Sequence, residues 1–166
     1  MLKFLQYQII EQFLKGDTDI VFALEENVRR IPDIQIHKFY DSPIYLISQP
    51  ENPLAGKSLV TENDLSGRTL MVGGASPVEL QKVQQRVIRN VDIDYFNSAD
   101  HDTTLTNVAA NLGICLAPGF LNDHNPDHAW TPFDCKESIS CVLCTHKEDS
   151  RKIIQEFVNM MQTVYK

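Results

Sequence analysis

Thr69-Leu70-Met71-Val72-Gly73-Gly74-Ala75-Ser76-Pro77-Val78-Glu79 changes character in the middle. Its first four residues are apolar or β-branched and read as a short buried strand. Two glycines and an alanine follow. Ser76, Pro77 and Glu79 then form a helix start: Ser76 can cap, Pro77 suits the first helical position, and Glu79 completes a capping box. The helix is expected to run to about Arg89. A strand that turns sharply into a capped helix is the repeating unit of α/β folds.

The same unit recurs downstream. Asp92 to Phe96 reads as a strand, Asp100 to Leu112 as a helix, Ile114 to Ala117 as a strand, and Pro118-Gly119 as a turn. Upstream, Leu2, Leu5, Ile9 and Phe13 fall at helical spacing, and Lys15-Gly16 closes that helix. Asp19 to Leu24 reads as a buried strand. Ile34 to Phe39 and Ile44 to Ser48 read as two strands around Asp41-Ser42-Pro43. Thr61 is expected to cap a short helix closed by Ser66-Gly67. Trp130 to Phe133 and Ile139 to Thr145 are late strands. Ile153, Phe157, Met160, Met161 and Val164 give the apolar face of a last helix. The pattern predicts an α/β fold with a largely parallel sheet.

Composition narrows the function classes. The chain has 166 residues, 43% hydrophobic and 22% charged, the balance of a globular protein. Its apolar runs are too short for a membrane helix, and its start lacks the apolar core of a secretory signal. The formal charge of −7 argues against nucleic-acid binding by this segment, because neutralising phosphates needs a basic face.

No phosphate loop, dinucleotide fingerprint, nucleophile elbow or zinc-protease motif is present, so no cofactor or metal is implied. His124 and His128 lie in a polar loop and read as solvated side chains rather than metal ligands. Asp100-His101-Asp102 reads as helix-capping acceptors rather than an acid–base cluster. Cys141-Val142-Leu143-Cys144 has redox or zinc spacing, but in a strand residues three apart point to opposite faces, which favours core packing. The informative geometry is the pair of strand-to-helix turns, Gly73 to Ser76 and Ser98 to Asp100. In open α/β sheets ligands bind beyond the carboxyl ends of strands, where helix N-termini favour anions, and the two glycines let a ligand approach the backbone. Two well-capped turns with no ligand fit the pattern equally.

Four segments carry a family resemblance. Gly16-Asp17-Thr18-Asp19-Ile20-Val21 resembles the G-[DE]-x-D-[IL] segment of the effector-binding domain of LysR-type transcriptional regulators. Asn52-Pro53-Leu54-Ala55 resembles its H-P-L-A turn, and Thr61 to Gly67 its t-x-x-D-L-x-G linker helix. Val108 to Pro118 resembles V-A-A-G-L-G-I-A-L-L-P, with Asn111 where the family usually has glycine; asparagine tolerates the left-handed conformation such a cap needs. In this order the segments cover about residues 5 to 160.

The resemblance implies a two-lobed fold like that of periplasmic binding proteins, with 1–60 and 135–166 in lobe I and 61–134 in lobe II. It implies a cytoplasmic, non-enzymatic sensor that binds a small, acidic effector between lobes and acts as a dimer. DNA would be read only through a helix-turn-helix domain that this chain lacks. The family's domain also opens with a β-α-β unit ahead of the helix that here is residues 2–15, so lobe I is expected to be incomplete and to leave an exposed strand edge or apolar patch. The implied ligand-binding residues are Ala23, Leu24, Gly74, Ala75, Ser76, Ser98, Thr103 and Pro118, with Ser76, Ser98 and Thr103 donating hydrogen bonds. Asp100 would oppose an anion and is expected to cap its helix or meet an amino group. The other readings are a solute-binding protein or enzyme on the same scaffold, and a thiol or metal sensor using Cys135, Cys141 and Cys144.

Overall fold

The computed structural model describes residues 2–165, with side chains from residue 8 onward. They fold as two compact units. Unit 1 takes the residues up to Asp41 and those from Ser140; unit 2 is Ser42–Ile139. The division falls at 41/42 and 139/140, not at the 60/61 and 134/135 expected from sequence. The reason is pairing: residues 44–48 are sheet partners of unit 2, and Val60 bridges to Phe133 there.

Unit 1 holds α1 (Leu2–Leu14), β1 (Ile20–Leu24), α2 (Glu25–Val28), the start of β2 (Ile34–Ser48), most of β7 (Ser138–His146) and α5 (Lys152–Val164). α1 ends as its sequence dictates. Gly16 is left-handed (φ +84°), and the Asp17 N–H returns to the Gln12 carbonyl. β1 pairs antiparallel with β7, Leu24 opposite Cys141, and β7 lies beside β2. Phe13, Val21, Ala23, Val28, Val142 and Cys144 form the core. β1 stands at the end of the strand order and presents an edge.

α5 departs from expectation. Ile154 and Val158 are its buried residues, whereas Ile153, Phe157, Met160 and Val164 are 70%, 39%, 54% and 68% exposed. The helix carries two apolar stripes about 100° apart, and the core takes the 154/158 one.

Unit 2 contains the end of β2, β3 (Thr69–Gly73), α3 (Val78–Asn90), β4 (Asp94–Ser98), α4 (His101–Ala109), β5 (Ile114–Pro118) and β6 (Ala129–Pro132). Its sheet is mixed. β3 runs parallel to both β4 and β5, while β2 pairs antiparallel with β5 and with β6. Within unit 2 the parallel strand pairs are β3 with β4 and β3 with β5, joined by a single parallel bridge between Val60 and Phe133, less than the alternating pattern predicts. Ile47, Met71, Val108, Cys115 and Ala117 form a core cluster under α4. Two caps hold as read. Thr61 and Asp64 close a capping box on the 3-10 turn Glu62–Leu65. Asn111 is left-handed (φ 59°), with the Leu112 N–H bonded to the Asn107 carbonyl.

β2 corrects another expectation. It is one strand through Pro43, not two. Proline is compatible with extended backbone and lacks only the donor, and the strand changes partners there, from β7 to β5 and β6. Among the described residues no helix is long and apolar enough to cross a membrane.

Candidate functional site

The carboxyl ends of three parallel strands of unit 2 come together. Gly73 at the end of β3 is in register with Ser98 at the end of β4. On the other side Met71 is in register with Cys115, which brings the end of β5, Pro118, to the same edge. The Gly74 N–H donates to the Ser98 carbonyl at 3.2 Å and ties the two turns together. A Cβ on Gly74 would lie 3.1 Å from the Ala99 carbonyl oxygen. Glycine therefore eases the close approach of the neighbouring turn's backbone, a role separate from the access for a ligand that the sequence suggested.

Each hydroxyl in this region has a different fate. Ser76 does not cap α3. Its Oγ donates back to the Gly73 carbonyl at 3.0 Å, and α3 begins after Pro77 with no side-chain cap. The reason is that Gln84, buried at 2% exposure on the second turn of α3, turns its amide toward Ser76 Oγ (3.4 Å), which holds the serine on the loop side. Thr103 is exposed and serves Asp100: its backbone N–H donates to Asp100 Oδ1 at 2.8 Å, and its hydroxyl bonds the same carboxylate. Those bonds hold the Asp100 carboxyl below the usual carboxylate range. Asp100 is therefore the N-cap of α4, as its position implied, and it occupies N–H groups that an anion would otherwise meet. Thr104, unremarked in the sequence, is buried and donates to the Asp100 carbonyl at 2.8 Å.

Ser98 stands apart. It is 4% exposed, and its Oγ has no hydrogen-bond partner. An unpaired buried hydroxyl costs free energy, about 1–3 kcal/mol, and calls for an explanation.

Gly74, Ala75, Ser76, Ser98 and Pro118 are thus gathered at one sheet edge, with Pro118 buried. Thr103 lies on the exposed side of α4. Ala23 and Leu24 belong to unit 1, where their side chains are buried and pair across from Val142 and Cys141.

His128 Nε2 meets the Leu105 carbonyl at 3.1 Å, and the side chains of Asn122, Asp123 and Asn125 accept from backbone N–H groups of their own loop. Burial pushes the His101 imidazole below its ordinary value. Among the described residues no three His, Cys, Asp or Glu side chains are placed to hold a metal ion.

The sequence model of the LysR substrate binding domain matches residues 4–166. The chain belongs to the LysR substrate-binding-domain family. Solved structures of that kind share the fold. The regulatory domain of Synechocystis PCC6803 CcmR, solved in complex with 2-PG, is 18% identical with a TM-score of 0.66, over 97% of this chain and 80% of that one. The LysR-family regulator CbnR is 17% identical with a TM-score of 0.71, over 97% of this chain and 57% of that one. The reduced OxyR regulatory domain from Pseudomonas aeruginosa is 14% identical with a TM-score of 0.66, over 95% and 77%. The chain thus spans little more than half the length of CbnR. No curated protein matches it.

Proposed function

We propose that this LysR substrate-binding domain is a non-enzymatic sensor whose unit 2 binds a small anionic effector at the joined ends of β3 and β4. The observation that carries this is Ser98, whose buried hydroxyl lacks a partner on a turn bonded directly to the one that leads into α3. α3 lacks a side-chain cap, whereas Asp100 closes α4, so α3 is the end that favours a carboxylate or phosphate. An effector oxygen would satisfy Ser98, with Ala75 and Ser76 lining the approach. By this reading the domain acts in the cytoplasm as the signal-receiving part of a transcriptional regulator, where effector binding shifts the population of conformations.

The test is a thermal-shift screen against small carboxylates and phosphorylated acids, with 2-PG among them. A ligand at one hundred times its dissociation constant adds about 2.7 kcal/mol. At about 2–4 °C per kcal/mol for a domain of this size, the melting temperature rises by roughly 5–10 °C. Ser98→Ala should abolish the shift while leaving the unliganded melt at or slightly above that of the wild type, since it removes an unsatisfied group. A saturable shift that Ser98→Ala leaves intact would refute the site.

A further inference from the structure

The turn that opens α3 is flanked by a second unpaired polar atom, and its chemistry differs from that of Ser98. Gln84 is 2% exposed, and its Oε1 has no hydrogen-bond partner. Helical side chains lean toward the helix start, so from the second turn of α3 the carboxamide reaches back to the loop before the helix. There its Nε2 lies 3.4 Å from Ser76 Oγ. The same serine hydroxyl donates to the Gly73 carbonyl at 3.0 Å, so toward Gln84 it can only accept. That puts the amide nitrogen on the Ser76 side and leaves the amide oxygen as the unpaired end. Neighbouring polar groups are engaged elsewhere. Gln81 Nε2 donates to the Ser76 carbonyl at 2.7 Å, and the Thr104 hydroxyl to the Asp100 carbonyl at 2.8 Å. The Gly73–Ser98 register and the Gly74 N–H bond to the Ser98 carbonyl join this loop to the Ser98 turn. Two almost fully buried side chains with unpaired polar atoms therefore border one pair of joined turns.

Resting on the effector reading of these turns, we infer that the effector is a hydroxy acid: its anionic group meets Ser98 and the start of α3, and its hydroxyl donates to Gln84 Oε1. The two unpaired atoms require different partners. A serine hydroxyl can donate to a carboxylate or phosphate oxygen. An amide oxygen only accepts, and it repels an anionic oxygen. One anionic group therefore cannot satisfy both, and the ligand needs a donor as well. A keto oxygen in that place sets two acceptors against each other and leaves both unpaired. An ammonium would donate, but a neutral amide does not balance its charge in a buried place. Asp100, the carboxylate of the neighbouring turn, is already engaged by Thr103. A hydroxyl supplies the donor without a charge. Gln84 is thus a specificity-determining residue: a buried acceptor discriminates against analogues that lack the group it is built to bond.

Isothermal titration calorimetry of the full chain tests this with matched sets of acids. One set is lactate, propionate, pyruvate and alanine; the other is malate, succinate, oxaloacetate and aspartate. At least one hydroxy acid is expected to bind ~10-fold or more tighter than its deoxy, keto and amino counterparts. Gln84→Met keeps the length of the side chain and removes the acceptor. It should narrow that preference to about twofold or less. Its unliganded melt should be no lower than that of the wild type, because the oxygen it removes has no partner and the one bond it loses is long. Ser98→Ala should abolish binding of every acid. Deoxy or keto acids that bind as tightly as the hydroxy acid, and do so through Ser98, would overturn the hydroxy-acid assignment and leave the anion site standing. Binding that survives Ser98→Ala would remove the site, and this assignment with it. Tighter binding of the amino acid, or a preference that Gln84→Met leaves intact, would each count against the role given to Gln84 and overturn it. A Gln84→Met variant that melts ~4 °C or more below the wild type would show the carboxamide held by a buried water in a structural role, with the same consequence. A panel in which no hydroxy acid binds would also overturn the assignment, and an anion from the thermal-shift screen that still acts through Ser98 would then show that the site itself stands.

Discussion

Arg86 ties three parts of unit 2 together, and replacing it with methionine should lower stability by a predictable amount. From α3, its Nε donates to Glu62 at 2.5 Å, and Nη1 and Nη2 donate to the two carboxylate oxygens of Glu137 at 2.5 and 3.2 Å. The Glu62 contact lies at a partly exposed turn and contributes little after solvent screening. Glu137 matters more, because its side chain is only 9% exposed while Arg86 remains 33% exposed. Arg86→Met keeps the apolar stem and removes the fork, leaving a largely buried carboxylate unpaired. A charge-assisted hydrogen bond is worth about 1.5–3 kcal/mol. Because the guanidinium is partly solvated, the cost should fall below the roughly 3–5 kcal/mol of breaking a fully buried pair. About 2 kcal/mol corresponds to a drop of roughly 4–8 °C in melting temperature. In a double-mutant cycle with Glu137→Gln, the double variant should cost less than the sum of the singles by about 1 kcal/mol or more. The pH dependence has a fixed sign. Arg86 holds the Glu137 carboxyl below its ordinary value. The linked stability is therefore present above the unfolded carboxyl pKa and lost as pH falls through the lower folded one. The gap between wild type and Arg86→Met should be full at neutral pH and narrow below about pH 4. Melts followed by circular dichroism from about pH 7 to 3 cover that range. A neutral-pH difference under about 1 °C, an additive cycle, or a gap that widens in acid would each refute the reasoning.

Asn111 is left-handed at φ 59°, so Asn111→Gly should stabilise by about 0.5 kcal/mol, and Asn111→Ala should destabilise by about 1 kcal/mol. An alanine variant that melts no lower than the wild type would show that the cap is not conformationally limited. Gly113 has a different constraint: a Cβ there would lie 2.5 Å from the Thr69 carbonyl oxygen and 3.0 Å from Met71 Cε. Gly113→Ala must spread β3 from β5 and should cost about 2 kcal/mol or more, read as a fall of at least about 4 °C in the melt.

What was legible in the sequence was local. The left-handed glycine after α1, Thr61 as a cap, Asp100 as a cap and the Asn111 turn each depend on residues within one turn of backbone. All four stand as read. What failed depended on tertiary partners. Pro43 reads as a break, yet β2 runs through it because new partners take over there. Ser76 reads as a helix cap, yet the Gly73 carbonyl and Gln84 claim its hydroxyl. Gln84 and Thr104 escape a reading of the sequence because polar residues inside helices look solvent-facing, and both are buried. In α5 the sequence shows two apolar stripes, and only the rest of unit 1 decides which is covered. The candidate site divides the same way. The turns were visible from their glycines and strand ends, whereas the isolation of the Ser98 hydroxyl emerges only from every neighbour that does not reach it.

The C-x-x-C spacing of Cys141 and Cys144 raises the question of whether these thiols carry chemistry, and the fold alone does not answer it, since one scaffold hosts different chemistries. The cysteines of this chain answer it more directly. Cys141 and Cys144 have redox spacing, but both lie in β7 and alternate across it. Cys144 packs in the core cluster with Phe13 and Val21, while Cys141 lies against Tyr40. A disulfide needs Cβ atoms about 4 Å apart, which opposite faces of one strand do not provide. Burial also pushes the Cys144 thiol up to about 11 and the Cys115 thiol up to about 12, far from the thiolate that reacts with oxidants or metals. Ser98 is the opposite case, a polar group buried without a partner at the end of a strand where ligands bind in sheets of this kind. The free energy stored in leaving it unpaired is recovered only when something supplies an acceptor or donor, which is the condition for a ligand to favour one conformation over another.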